Sequence, residues 1–455
     1  MDLGQTPAVT LADRLCSAAA GPRAFPFWAD GGSGHTDRGP YAPGRHVLAA
    51  FPSRFERLNV TTLEPRELIA WLRARLPTSD PSAGQAPLMV VLLSYDAGRN
   101  LERLPATARV DPPLPDVIVA YYPAFLVGDS ERGPWRLEAI DNDSKNRLLK
   151  VLQTDPAIPK AEPSATIAPL ASSMSRTQHR RAIEAILDQI AAGDLYQANV
   201  ARRLETAMPP SFTPTLYRAM RRRNPAAFGA LWQWDAGDHE PGWLASSSPE
   251  CLFTYDARDR ALHSYPIKGT RPRGAGPAED EVSAADLASD LKERAEHVMI
   301  VDLVRNDLGR VATIGSVHVP HLFDVMTLPT VHHMVSDVAA SLGAEHDLAD
   351  ALAALFPGGS VTGAPKIAAM AAIEHVEALC RGFYTGSLGM VFGDGSAIFN
   401  ILIRTCVAID GRLLYQTGGG IVADSTPAGE WLETESKARA IVETLAALSA
   451  SSQGS

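Results

Sequence analysis

An α+β fold is predicted for this chain by three features of its sequence. Strand-like runs stand beside helical runs without the β-α-β alternation of a doubly wound sheet. The segment LGMVFGDGSAIFNILIRTCVAIDGRLLYQTGGG (388–420) places two turn signals, Gly393-Asp394-Gly395 and Asp410-Gly411, between β-rich stretches, the pattern of an antiparallel meander. Finally, 455 residues with 45% apolar and 21% charged side chains are ample for a large core, without disulfide or metal staples.

The elements follow in order. Residues 26–45, PFWADGGSGHTDRGPYAPGR, are rich in Gly and Pro and read as loops around short strands. HVLAAFPSRF (46–55) then precedes LEPRELIAWLRARL (63–76), whose Leu and Trp spacing predicts a helix. APLMVVLLSYDAG (86–98) and PDVIVAYYPAFLV (115–127) are buried-strand candidates. Thr154–Ser175 carries four prolines and reads as a linker or long loop. Then TQHRRAIEAILDQIAAGD (177–194), with Ile183, Ile186 and Ile190 in phase and a Gly-Asp stop, predicts a helix. This divides the chain into an N-terminal portion (1–155), a Pro-rich linker or loop (156–175), a second domain (176–446) and a flexible tail (447–455).

Charge and cysteine usage narrow the class. With 42 Lys+Arg against 52 Asp+Glu, the net charge of −10 and the lack of a basic block argue against a nucleic-acid partner. Four scattered cysteines, Cys16, Cys251, Cys380 and Cys406, form no CxxC pair and suit a reducing compartment. The first residues lack a basic-then-apolar leader, and the longest apolar run (86–93) is too short to span a bilayer. A cytoplasmic protein with no membrane contact is expected.

Several constellations could carry chemistry. In DLKERAEHVMIVDLVRND (290–307), Glu293, Glu296 and His297 share one helical face, and Glu430, Glu433 and Lys437 repeat that geometry in PAGEWLETESKARAIVETL (427–445). Brought together, such carboxylates suit a hard cation such as Mg²⁺; apart, they are ordinary solvated helix faces. Gly358 and Gly363 have P-loop spacing, but Ala364-Pro365 stands where Lys-Ser/Thr must follow, which excludes a nucleotide phosphate site. What remains is either an anion-binding helix entry or a plain turn. Gly418-Gly419-Gly420 either admits a ligand close to the backbone or marks a bulge. Arg404, within the apolar run FNILIRTCV, is a sheet-edge charge or a carboxylate clamp. Lys268 in PIKGT is an exposed loop residue or a nucleophile, and His333 a core histidine or an acid/base.

In combination the strings are more specific. SSSPE (246–250), PIKGTRPRG (266–274), ERAEHVMIVDLVRNDLGRV (293–311), FPGGSVTGAPK (356–366), IRT (403–405), QTGGG (416–420) and ETESKA (433–438) occur in this order. Over about 175–445 the chain closely resembles the chorismate-utilising enzymes, and LLSYDAGR (92–99) resembles the N-terminal portion of their anthranilate and aminodeoxychorismate members. The resemblance implies a two-layered antiparallel β-sandwich with outer helices, like that of anthranilate synthase component I, and a chorismate cleft that requires Mg²⁺. It implies Glu296 and Glu433 as metal ligands, supported by Glu293 and Glu430. Substrate contacts implied are Arg404, Tyr384, Thr270, Lys437 and the Gly418, Gly419 and Gly420 amides, with the GAPK turn walling the cleft.

The branch rests on two positions. Water-activating members carry Lys where this chain has Gln197, and Gln is no general base. Anthranilate synthases resemble PIAGT where this chain has PIKGT, so the resemblance points to aminodeoxychorismate synthase component I, with anthranilate synthase component I as the alternative. In that branch Lys268 is the proposed covalent nucleophile and Glu250 the acid for the leaving hydroxyl, while His333 matches a position linked to pyruvate elimination. No cysteine stands in a Gly-x-Cys-x-Gly glutaminase setting, so a separate glutamine amidotransferase subunit is the implied ammonia source. The LLES-type motif of tryptophan-inhibited members is absent.

Overall fold

The computed structural model describes residues 6–18, 24–31, 45–78, 80, 84–154, 167–237 and 240–453. Among them, two antiparallel sheets of eleven and ten strands stack face to face. The first runs from Gly363–Ala364 and Gln197–Ala207 through Arg412–Ile421, Thr405–Ile409, Gly242–Ser248 and Phe228–Trp234 to Phe27–Asp30, His46–Ala49, Ala124–Gly128 and Trp135–Ala139. The second runs from Ile267–Pro272 through Val331–Ser341, Ala261–Tyr265, Cys251–Asp256, Ala397–Asn400 and Ser387–Val391 to Leu88–Leu93, Val117–Tyr122 and Arg54–Leu58. Residues 1–155 thus contribute strands to both sheets.

The side-chain alternation of one strand shows why this architecture forms. In Leu88–Leu93, Leu88, Val90 and Leu92 enter the layer between the sheets, where Trp232, Trp234, Phe125 and Leu244 of the first sheet meet them. Met89, Val91 and Leu93 face outward, beneath the helices Glu67–Arg73, Leu291–Gly309 and Leu348–Leu355. A strand covered on both faces reads as a continuous apolar run. On the opposite side, the helices Ala8–Ala18, Asn142–Gln153, Thr213–Arg223 and Pro427–Gln453 cover the first sheet. The result is the expected sandwich with outer helices.

Local signals set several boundaries. The helix predicted at 177–194 spans Arg176–Ala192, with a Ser175–Gln178 capping box at its start and Gly193 at φ +84° to end it. The predicted linker lies partly outside the described residues (155–166); beyond these, Ala171–Ser172 adds a short strand to the edge at Leu204 and Glu205. The final helix continues to Gln453, through most of the expected tail. Among the described residues no helix is long and apolar enough to cross a membrane.

The C-terminal meander divides differently from expectation. Ser387–Val391 and Ala397–Asn400 form a hairpin in the second sheet, whereas Thr405–Ile409 and Arg412–Ile421 form one in the first. Between them, Ile401–Arg404 carries the chain from one sheet to the other, and Arg404 takes a positive φ of 52°. The apolar run masked this break because the crossover residues are buried from both sides. Arg404 is therefore at an inter-sheet corner and not within a strand.

Trp232 ties the two portions of the chain. It is fully buried, packs edge-on against Phe27 and donates through Nε1 to the Tyr122 hydroxyl at 2.9 Å. Trp232→Ala should destabilise the protein by about 3–5 kcal/mol while keeping one cooperative denaturant transition by circular dichroism. Separate melting of the N-terminal portion would contradict this shared core.

Candidate active site

The site forms where the chain crosses between the sheets twice, side by side. Gly242–Ser248 belongs to the first sheet and Cys251–Asp256 to the second, so Glu250 lies at one crossing and Arg404 at the other. Serines of the SSSPE string bind the crossings together. The Ser248 hydroxyl donates to the Ile401 carbonyl at 2.6 Å, the Ser247 amide to the Arg404 carbonyl at 3.1 Å, and Ser246 pairs with the Thr405 hydroxyl at 2.8 Å. The Ile401 amide returns a bond to the Glu250 carbonyl at 3.0 Å.

Glu250 is 5% exposed and accepts from the Ser360 hydroxyl at 2.6 Å. Burial raises its carboxyl to about 7, despite opposing contributions from Ser360, the Ile267 amide, Arg404 and Lys268. Ser360 belongs to the Gly-rich turn, and the sequence offered no signal for its role beyond that turn. Arg404 has no ion pair or hydrogen bond from its guanidinium among the described residues, and burial depresses its pKa. A half-buried cation in this state favours an incoming anion. His333 is also buried. Its Nδ1 lies 3.0 Å from the Thr270 hydroxyl and 3.4 Å from the Gly269 carbonyl, while Nε2 is without a partner. Burial, reinforced by Arg404, brings its pKa to about 4, so the ring is neutral.

Lys268 lies on the edge strand Ile267–Pro272, with Nζ 2.9 Å from Glu296 Oε2 on the Leu291–Gly309 helix. Gly420 faces the same space: a Cβ there would come within 2.9 Å of Gln197 Nε2 and 3.4 Å of Lys268 Nζ. Gln197 Oε1 and Asn199 Oδ1, two positions apart on one strand face, are buried acceptors without partners. The GAPK turn walls this side. Gly363 has φ +149°, and a Cβ there would strike the Gln197 carbonyl at 2.2 Å, so glycine is required.

The glutamates do not form one ligand shell. Glu296 holds Lys268, Glu433 holds Lys437 at 2.6 Å, and Glu293 Oε1 meets Arg271 at 3.1 Å. Lys437 also donates to the Gly418 carbonyl at 2.9 Å. Glu430 and Glu433 nevertheless overlie Gly419, where a Cβ would come within 2.7 Å of Glu430 Oε2 and 3.3 Å of Glu433 Oε1. Glu430 Oε2 is buried without a partner, and burial raises the pKa of that carboxyl. An orphaned oxygen beside further carboxylates, over a glycine that leaves room, fits a hard divalent cation such as Mg²⁺.

One sequence candidate points elsewhere. His297 turns beneath its helix to meet the Ser336 hydroxyl at 2.7 Å, away from the glutamate face. Tyr384 is buried against the Arg381 guanidinium, 5.7 Å from its ring. Among the described residues, Asp30, His46 and Glu131 alone have three ligand atoms within 4.8 Å of one another, but Arg221 already bridges Asp30 and Glu131.

Comparison with known proteins agrees with this geometry. The family model described as chorismate binding enzyme matches residues 25–443, and the chain belongs to that family. Aminodeoxychorismate synthase component 1 of Klebsiella aerogenes is 40% identical over 354 residues, covering 78% of this chain and 76% of that protein. Anthranilate synthase component 1 1 of Haloarcula marismortui is 39% identical over 373 residues, covering 78% and 74%. The crystal structure of anthranilate synthase component I from Streptococcus pneumoniae superposes with a TM-score of 0.74 at 26% identity, covering 90% of this chain and 94% of that one.

Glu250 makes a pH prediction. A carboxyl whose folded pKa, about 7, exceeds its ordinary 4.5 favours folding when protonated, so stability falls as pH rises through that window. Between pH 4.5 and 8 the native protein should lose about 3 kcal/mol that Glu250→Gln does not lose. Denaturant titrations of both proteins at the two pH values measure the difference, and equal losses would exclude a buried protonated Glu250.

Proposed function

We propose that the chain is the aminating component of an aminodeoxychorismate synthase, which converts chorismate and ammonia to 4-amino-4-deoxychorismate for 4-aminobenzoate and folate synthesis. The observation that carries this reading is Lys268: an amine stands where the anthranilate branch has alanine, held at Glu296 and facing Gln197 and the triglycine strand. The relatives named aminodeoxychorismate synthase component 1 support it.

The cleft residues suit the chemistry. Arg404 and the Gly418–Gly420 backbone receive the substrate carboxylates, with Lys437 and Thr270 at the rim. Lys268, once deprotonated, attacks ring C2; a C–N bond forms, both conjugated ring double bonds shift, and the C4–O bond breaks. Glu250, near half-protonated at neutral pH, delivers a proton so that the hydroxyl departs as water. Ammonia then attacks C4, both double bonds shift back, and the C2–N bond breaks to restore the lysine. Glu296, Glu433 and Glu430 would hold Mg²⁺, which would supply positive charge for the ring carboxylate and the departing oxygen. His333, neutral and tied to Thr270, orients that hydroxyl. A glutamine amidotransferase subunit supplies ammonia, as the name "component 1" of the relatives suggests.

A second reading, anthranilate synthase component I, is favoured by His333 and by the Haloarcula relative. Incubation with chorismate, Mg²⁺ and ammonium separates the two: 4-amino-4-deoxychorismate is expected, and anthranilate plus pyruvate would select the second reading. Intact-protein mass spectrometry should reveal an adduct that Lys268→Ala abolishes. Glu296→Gln or Glu433→Gln should reduce Mg²⁺-dependent turnover at least 100-fold with circular dichroism unchanged; undiminished turnover would remove the metal assignment.

A further inference from the structure

We propose that Arg271 is a positioning residue that holds Lys268 and Glu296 in register, an inference that rests on the reading of these two residues as part of the chorismate site. Arg271 joins three carboxylates: Nε meets Asp286 Oδ2 at 2.7 Å, Nη2 meets Asp290 Oδ2 at 2.5 Å and Nη1 meets Glu293 Oε1 at 3.1 Å. Asp290 is the N-cap of the Leu291–Gly309 helix, and its other oxygen accepts from the Lys292 and Glu293 amides. One guanidinium therefore grips the cap and the first turn of the helix whose next turn presents Glu296. No other side chain of the Lys268 strand is given such a set of partners among the described residues.

The strand is built to allow this. Residues 268 and 271 are an odd number apart and would point to opposite faces of a regular strand. The register against Val331–Ser341 shifts between Ile267 and Thr270, with Gly269 at φ +88°. Such a bulge changes the phase of alternation, so Lys268 and Arg271 both reach the same helix. Gly269 also leaves room for the clamp, since a Cβ there would lie 3.0 Å from Glu293 Oε2. The contacts thus form two rungs: Lys268 to Glu296, and Arg271 to Glu293. Arginine suits the second rung because its planar fork reaches several carboxylates at once, which a lysine point charge cannot.

The Arg271 rung is removed from the reacting atoms, so its loss should misplace the nucleophile without emptying the substrate site. For Arg271→Met, kcat should fall about 10–100-fold while the chorismate KM stays within about threefold, and the rate of Lys268 adduct formation should fall in parallel with kcat. Arg271→Lys should recover little of this. Asp286→Asn, which removes a single arm, should show a smaller fall of the same kind and serves if Arg271→Met fails to fold. Unchanged kcat in both the Met and Asn variants, or a rise in KM with kcat preserved, would overturn the proposal. Full activity in Lys268→Ala would instead sink the underlying reading of the site, whatever the Arg271 variants do.

Discussion

The paired crossing between the two sheets is the constraint on which the site depends. Two chain segments leave one sheet and enter the other side by side, and hydrogen bonds from the Ser247 and Ile401 amides and the Ser248 hydroxyl lock them together. A crossing residue lies in neither ladder, so its side chain is free to face the space between the layers. Glu250 and Arg404 occupy those two positions. Glu250 is buried and Arg404 half-buried among the surrounding apolar layers, and this desolvation raises the carboxyl pKa of one and depresses the pKa of the other. The fold thus creates a carboxyl that is near half-protonated at neutral pH and a cation without an ion pair among the described residues.

Around that corner, glycines determine how closely the other groups approach. Gly363, Gly419 and Gly420 each stand where a Cβ would strike a carbonyl, a carboxylate or an amide of the site. The rest of the arrangement is electrostatic. Lys268 on one edge strand and Lys437 on the last helix each neutralise a glutamate, while Glu430 keeps an oxygen unpartnered between them. Under the proposed function, this distribution of cations and carboxylates would receive a small dianionic substrate and a divalent ion.

Much of this was legible in the sequence, and what escaped did so for identifiable reasons. The E-x-x-E spacings placed Glu293/Glu296 and Glu430/Glu433 on helical faces because helix geometry is local. The spacing could not show that Arg271 draws Glu293 aside, since that depends on a bulge set by pairing with a distant strand. His297 shared the glutamate face by periodicity, yet a fourth-position residue lies slightly around the helix, and Ser336 captured it beneath. Ser360 and Asn199 escaped because a hydroxyl in a turn and an amide in a strand carry no pattern of their own. The run through Arg404 read as one meander because a crossover buried on both sides is as apolar as a strand.

The sequence by itself determined the α+β class, the helix caps, the doubly buried strands and the ordered motifs that mark the family, because these depend on neighbours within a few residues. Tertiary structure alone decided which sheet each C-terminal hairpin joins, that residues 1–155 share both sheets with the rest, and which polar groups meet at the crossing. Those outcomes depend on pairings between residues 110 positions apart, such as Trp232 with Tyr122 and Glu250 with Ser360, and on desolvation that exists only once both layers have closed.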